Sequence, residues 1–437
     1  MFAYYLDLAL RSLKRTPVLT GLMVLAIGLG IGASMTMLTV LHVMTGDPLP
    51  GRSQKLYAPM IDARPLSRDS SSQAAAEDSP DGLTLPDAMN LLRERGADRQ
   101  AAMSAGQVVV RPPAGDSHPF FERGEFATAD FFPMFDVPFR AGAGWTAAQD
   151  AARARVVVLN GELARKLFGD ASAIGRTVRL NDADFSVIGV LDDWHPQPAF
   201  YQQASGRVFG GADQVFLPLQ TALDLKFHFT GHLSCWGSGG DDRQSDHCAW
   251  VQFWAQLGGV AKADAYRTFL ADYWRDQQTH GRLPRAEHAQ LFGLMDWLAH
   301  EKVIPGDVRM QLWLALGFLF VCMVNITALL LAKFLRRSGE IGVRRALGAS
   351  RGAIYAQFLT EGGMIGFAGG VLGLLLTGLG VAAVGVVLPR QIASLARVDV
   401  SLLLTTMVVA VVASLLASLY PTFRASRVQP AWQLKSN

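Results

Sequence analysis

The sequence predicts an integral membrane protein with four transmembrane α-helices in a one-plus-three arrangement and a large mixed α/β domain inserted between helices 1 and 2. Three observations predict it. Four long runs carry no Asp, Glu, Lys or Arg: Val18–Met44, Leu312–Ala332, Gly362–Leu388 and Leu402–Tyr420. Each is close to, or longer than, the roughly 20 residues a helix needs to cross about 30 Å of hydrocarbon. The 437-residue chain is 50% hydrophobic and 18% charged, too apolar for an average soluble protein and too polar for a bundle wholly in lipid. Finally, Lys and Arg gather at one set of span ends.

That gathering sets the orientation. Arg11, Lys14 and Arg15 precede span 1; Lys333, Arg336, Arg337, Arg344, Arg345 and Arg351 follow span 2; Arg424, Arg427 and Lys435 follow span 4. Only Asp7, Glu340 and Glu361 oppose them, so both termini are expected in the cytoplasm of a bacterial inner membrane. The segment 46–309 has 26 Lys and Arg against 33 Asp and Glu, so the net +3 of the chain hides an acidic outer domain behind a basic cytoplasmic rim. Nothing in this balance points to nucleic acid.

Residues 1–16 are expected to lie as an amphipathic helix on the cytoplasmic surface. Phe2, Leu6, Leu10 and Leu13 share one face, and Asp7, Arg11 and Lys14 another. Pro17 breaks that helix and turns the chain into span 1, residues 17–45. The apolar core of span 1 exceeds a signal-peptide h-region and no Ala-x-Ala site follows, so it reads as an uncleaved anchor.

Residues 46–309 are long enough to bury a core and to divide into two subdomains. They open on a Ser/Ala/Asp/Pro-rich stretch, Arg64 to Gly82, that reads as a mobile loop. Val108–Arg111, Val156–Leu159, Thr177–Leu180 and Phe185–Val190 have the β-branched content of strands. Asn160–Phe168 and Lys262–Trp274 have apolar residues at helical spacing. The alternation predicts an α+β layer, not a barrel. Span 2 (310–334), a cytoplasmic segment (335–358), span 3 (359–389), a short outer loop (390–400), span 4 (401–421) and a cytoplasmic tail (422–437) complete the chain.

Spans 1 and 3 are rich in small residues. Gly28, Gly30 and Gly32 lie in span 1, while Gly366/Gly370 and Gly369/Gly373 in span 3 are both GxxxG pairs that let helix backbones approach closely. No Asp, Glu, Lys or Arg falls within a run, so the spans offer no carrier for a proton relay or ion path. Asn325 in span 2 is expected to hydrogen-bond a neighbouring helix, and Cys322 to be inert packing.

Catalytic signatures are missing. No G-x-x-x-x-G-K-[ST] loop occurs, and no H-E-x-x-H, G-x-S-x-G or S-x-x-K stands in the outer domain. His228, His232, Cys235, His247 and Cys248 lie close together, and two His with two Cys could hold zinc. In an oxidising compartment the two outer cysteines read first as a disulfide closing a Gly/Ser/Asp-rich loop, with zinc and free thiols as the alternatives.

Two stretches carry a resemblance. Arg337-x-x-Glu340-Ile341-Gly342-Val343-Arg344-Arg345-Ala346-Leu347-Gly348-Ala349-Ser350-Arg351, followed by Ile354, resembles the R-x-x-E-I-G-I-R-x-A-[IL]-G-A segment of MacB/FtsX-like ABC transporter permeases, the type VII or mechanotransmission family. In the outer domain, Ala129-Asp130-Phe131-Phe132, Val137-Pro138-Phe139-Arg140-Ala141-Gly142, Val156–Asn160, Leu163–Gly169 and Ile174–Val178 resemble the periplasmic core domain of MacB-type permeases. The tail from Pro421 to Lys435 and the one-plus-three order of spans are also theirs. The stretch from about Asp192 to Lys302 matches no such motif.

The resemblance implies a permease without catalytic residues or metal, driven by a separate cytosolic ABC ATPase that binds ATP and Mg. Glu340, Ile341, Val343, Arg344, Arg345, Leu347 and Arg351 would couple to that ATPase, with Val343, Leu347, Ile354 and Phe358 as one apolar helical stripe. It further implies a second permease, identical or related. Expected outputs are export of a peptide, antibiotic or amphiphile with a membrane-fusion adaptor and an outer-membrane channel, LolC/LolE-like lipoprotein extraction, or FtsX-like control of a cell-wall hydrolase.

Overall fold

The structure is a computed structural model that describes residues 8, 11–12, 14–65, 82–112, 118–192, 194–201, 208, 211–236, 242–283, 289–303, 306–387 and 400–426. The chain divides into two compact units. Met1–Thr45 with Pro305–Asn437 form one, and Gly46–Ile304 the other. Phe2, Leu6, Leu10 and Leu13 of the expected amphipathic face lie outside the described residues, as do 66–81 of the expected mobile loop.

Helix α1 (Pro17–Thr45) begins on Pro17, where a missing N–H costs nothing because first-turn donors have no intrahelical partner. The inserted domain then builds strands β1 (Leu56–Ile61), β2 (Leu83–Thr84), β3 (Arg99–Arg111), β4 (Phe120–Ala127), β5 (Phe139–Gly142), β6 (Val156–Leu159), β7 (Thr177–Leu180), β8 (Ala183–Leu191), β9 (Val215–Pro218), β10 (His228–Phe229), β11 (Ser234–Cys235), β12 (Cys248–Gln256) and β13 (Ala289–Gly293). Among the described residues these form one sheet along the path β13-β1-β12-β3-β4-β9-β6-β8-β5, with β2, β7, β10 and β11 off it. Neighbours on the path are antiparallel except β4/β9 and β6/β8.

Helices α2 (Leu85–Glu94), α3 (Phe131–Phe135), α4 (Ala147–Ala151), α5 (Gly161–Phe168), α6 (Leu219–Asp224), α7 (Val260–Thr279) and α8 (Leu294–His300) punctuate the strands. Local chemistry starts them: the Thr84 hydroxyl accepts the Asp87 N–H at 3.2 Å and Asn160 accepts the Glu162 N–H at 3.0 Å. The sheet is covered on both faces. Alternate residues of β3, β6 and β12 enter different cores: Ala102, Val157 and Phe253 join Tyr266 and Trp274 of α7, whereas Met103, Val158 and Trp254 join Phe131 and Phe135 of α3 and Trp297 of α8. Burial on both sides is why Val156–Leu159 reads as an unbroken apolar run.

The chain ends in α9 (Gly306–Arg336), α10 (Ser338–Ala346), α11 (Arg351–Val387) and α12 (Val400–Ser426). Helices α1, α9, α11 and α12 are long and apolar enough to cross a membrane. Asn325 is exposed on α9, and the bond expected to a neighbouring helix is not found among the described residues, although neighbouring Cys322 is buried. Helix α11 runs unbroken from Arg351 through the third span, so the end of the expected cytoplasmic segment and the start of the expected span share one helix. Residues 390–399 and 427–437, with the outer loop and most of the tail, lie outside the described residues.

Candidate functional site

The segment between the second and third spans is two helices joined by a turn, called the hairpin below, not the single helix that the stripe Val343, Leu347, Ile354 and Phe358 predicts. Gly348 adopts φ +102°, a left-handed conformation that stops α10 at little cost because glycine has no Cβ. Ser350 then starts α11, its hydroxyl accepting the Ala353 N–H at 3.1 Å. The stripe is thereby split. Val343 is 58% and Leu347 83% exposed, whereas Ile341, Ile354 and Phe358 are buried in the bundle core, Phe358 with its ring centroid 4.1 Å from that of Phe334.

Charge ties the hairpin together. Arg344 donates to Glu340 at 2.9 Å on its own helix and to Gln357 at 3.1 Å on α11. Arg337, Glu340, Ile341, Arg344, Gln357 and Phe358 frame a shallow pocket under this arrangement. Arg351 is exposed at the start of α11, and Arg345 lies within α10 with its side chain outside the described set. An arginine-rimmed apolar projection of this kind can dock a protein partner.

Behind the hairpin lies a cluster that sequence reasoning missed. Lys333 of α9 and Glu361 of α11 form an ion pair with almost no solvent exposure. The Ser12 hydroxyl donates to the same Glu361 Oε1 at 2.7 Å, and Arg337 donates to Ser12 Oγ and to Ser12 O. The inference that no charge enters the spans is therefore corrected: α9 and α11 extend past their charge-free runs and carry one charge each into the interior. The signal was present as an acid and a base abutting two apolar runs, but the pairing is tertiary.

The glycines of α11 serve two helices. Ideal Cβ atoms at Gly369 and Gly373 would lie 2.5 and 3.1 Å from Ile27 and Ile31 of α1, and those at Gly28 and Gly32 would lie 2.8 Å from Leu372 and Leu376. Gly366 and Gly370 instead face Ser414 and Ala410 of α12, at 2.5 and 2.8 Å. The two GxxxG pairs thus occupy different faces.

In the inserted domain Cys235 and Cys248 are disulfide-bonded, directly opposite each other on β11 and β12. Both sulfurs are committed to that bond, and no cluster of three or more metal-ligating side chains occurs among the described residues. The bond closes a 13-residue separation. Cys235→Ser with Cys248→Ser is expected to cost this unit about 2–3 kcal/mol through loop entropy, read as a lower thermal midpoint; an unchanged midpoint would contradict it. Elsewhere a cleft of about 650 Å³ is lined by Arg95, Asp98, Arg99, Asp130 and Asp150. Burial lifts the Asp150 carboxyl to about 6, against the N–H bond it accepts from Ala129, with Asp130 adding to the rise.

Four spans, one extramembrane domain between the first two and an exposed hairpin between the second and third define a polytopic membrane protein built around an inserted domain. A family model described as MacB-like periplasmic core domain matches residues 20–265, and one described as FtsX-like permease C-terminal matches residues 313–430. The chain belongs to the MacB/FtsX-like family of ABC transporter permeases.

Among curated relatives, an uncharacterized ABC transporter permease, YvrN of Bacillus subtilis, is 24% identical over 308 residues, 70% of this chain and 68% of that protein. The pyoverdine export ATP-binding/permease protein PvdT of Pseudomonas aeruginosa is 26% identical over 76% of this chain and 45% of its own length. The macrolide export ATP-binding/permease protein MacB of Chromobacterium violaceum is 25% identical over 57% of this chain. The chain spans only 45% and 33% of those two longer proteins. The periplasmic region of MacB from Actinobacillus actinomycetemcomitans aligns with 56% of this chain and 92% of that region, at TM-score 0.36 and 13% identity.

Proposed function

We propose that this chain is the membrane half of an ABC exporter of the bacterial inner membrane, driven by a separate cytosolic ATPase that binds ATP and Mg²⁺. The observation that carries the reading is the hairpin: one face is anchored in the bundle, and the other presents Leu347 and Val343 to solvent beside Arg344 and Arg351. An apolar side chain so exposed, ringed by cations, suits a protein surface. Both termini lie in the cytoplasm in this reading, and residues 46–309 in the periplasm. Two permeases, identical or related, would sit over two ATPase subunits. ATP-driven closure of those subunits presses the hairpins together, and the spans pass the shift as rods to the inserted domains. Export of a peptide, antibiotic or amphiphile through a membrane-fusion adaptor and an outer-membrane channel is the output favoured by likeness to the pyoverdine export and macrolide export proteins.

Arg344→Glu with Leu347→Asp tests the docking. Arg344→Glu also breaks the bonds to Glu340 and Gln357, so Leu347→Asp alone, at an 83% exposed position, serves as the variant that keeps the hairpin intact, and co-purification of the ATPase should be lost in both. Retained association would overturn the docking claim. Affinity capture of the wild-type chain from membranes tests the output. Recovery of an adaptor with an outer-membrane channel supports export, whereas a lipoprotein carrier or a cell-wall hydrolase would replace it with extraction or with signalling.

A further inference from the structure

We propose that Lys333, Glu361, Ser12 and Arg337 are positioning residues that tie the segment just ahead of α1 to the hairpin-side ends of α9 and α11. The inserted domain hangs on two chain connections only, out of α1 at Thr45 and into α9 at Gly306. Motion entering at α10 reaches α9 and α11 directly, because they flank it in sequence. Farther along the bundle it reaches α1 through packing and through Ser34 Oγ, which donates to Ala315 O of α9 at 3.0 Å; at the hairpin end it needs a further bond.

The cluster supplies that bond. Arg337 is the residue between α9 and α10 and grips both Ser12 Oγ and Ser12 O. Ser12, in a helical stretch just ahead of α1, passes its own proton bond to Glu361 of α11. Lys333 of α9 closes the circuit on the same carboxylate oxygen. Glu361 Oε2 has no hydrogen-bond partner among the described residues.

The energetics point the same way. A buried ion pair pays desolvation on both charges, and an apolar pair of similar volume is often no less stable. What an apolar pair cannot do is fix direction and register among three elements. The tie itself stands on geometry; its use in force transmission rests on the function proposed above.

The test needs no ATPase. Spin labels at Lys14→Cys and Val343→Cys, both exposed, report the separation of the segment ahead of α1 from the hairpin. The full chain in lipid nanodiscs, with buried Cys322 replaced by Ala and diluted with unlabelled chain, should give one narrow distance distribution. Lys333→Met with Glu361→Met should keep the thermal midpoint yet broaden that distribution roughly twofold, as expected for local release without global unfolding. The swapped pair, Lys333→Glu with Glu361→Lys, should restore part of the narrowing. Ser12→Ala with Arg337→Leu leaves the ion pair in place and removes the tether, the bond to Ser12 O included, so it decides the matter should the methionine pair misfold. Broadening in that double variant supports the tie. An unchanged width in the folded methionine pair, or in Ser12→Ala with Arg337→Leu, overturns it. Because no partner is present, failure here is distinct from failure of ATPase docking.

Discussion

Phe131→Ala is expected to destabilise the inserted domain by about 3–5 kcal/mol, the usual cost of emptying a fully buried aromatic site. Phe131 has no exposed surface and sits at the centre of an aromatic cluster. Its ring meets Phe132 and Phe135 of α3 at 5.4 and 5.0 Å, Trp194 at 5.9 Å, Tyr201 at 5.5 Å and Phe216 of β9 at 5.8 Å. Most of these contacts are edge-to-face, so the loss includes oriented ring pairs as well as apolar area. The surrounding rings come from three separate stretches of chain and cannot all close on the cavity. Total stabilities of domains are of order 5–15 kcal/mol, so a loss of this size approaches the threshold for folding. Thermal unfolding of the full chain in detergent, followed by tryptophan fluorescence, should show the domain transition falling by on the order of 10 °C. Phe131→Leu, which keeps much of the volume, should cost less, about 1–2 kcal/mol. Equal midpoints for Phe131→Ala and wild type would mean that the cluster does not organise this core.

The same cluster shows what could be read from the sequence. Ala129-Asp130-Phe131-Phe132 was legible as a family motif, but its partners Trp194 and Tyr201 fall in the stretch that matched no motif. Strand β6 was legible because four consecutive β-branched or aliphatic residues are buried on both faces. Strand β12, central in the sheet, was not: Cys248–Gln256 mixes Trp, Gln, Phe and Ala, and its neighbours β1 and β3 lie far away in sequence. The four spans were legible because hydropathy is local. The Lys333–Glu361 pair was not, because hydropathy assigns a charge at the end of an apolar run to the water side unless its partner is known. The break at Gly348 was legible in principle, since Gly followed by a capping Ser marks a helix stop and restart. The apolar spacing of Val343, Leu347, Ile354 and Phe358 ran across it and concealed it.

Gly369→Leu is expected to disrupt the bundle, and Gly378→Leu is not. In membranes close backbone approach and van der Waals fit do much of what hydrophobic burial does in water. At Gly369 a Cβ atom alone would lie 2.5 Å from Ile27 Cγ2 and 2.6 Å from Ile27 Cβ, and the second of these atoms is fixed to the backbone of α1. No rotamer of Ile27 removes that clash, so α1 and α11 must move apart. Their separation also opens the contacts of Gly28, Gly32 and Gly373, which depend on the same approach. Overpacking costs about 1–3 kcal/mol where neighbours can yield, and more is expected here because the contact repeats along the helix pair. Gly378, on the same helix, has nothing within 4 Å of its Cβ position, so a leucine there tests helix composition without the clash. Gly366→Leu gives the matching result on the other face, where Ser414 Cβ stands 2.5 Å away and Ser414 Oγ donates to Gly362 O at 2.6 Å. Thermal unfolding and protease sensitivity of the purified full chain should separate Gly366→Leu and Gly369→Leu from Gly378→Leu. Similar behaviour in all three would show that α11 does not pack on α1 and α12 through its glycines.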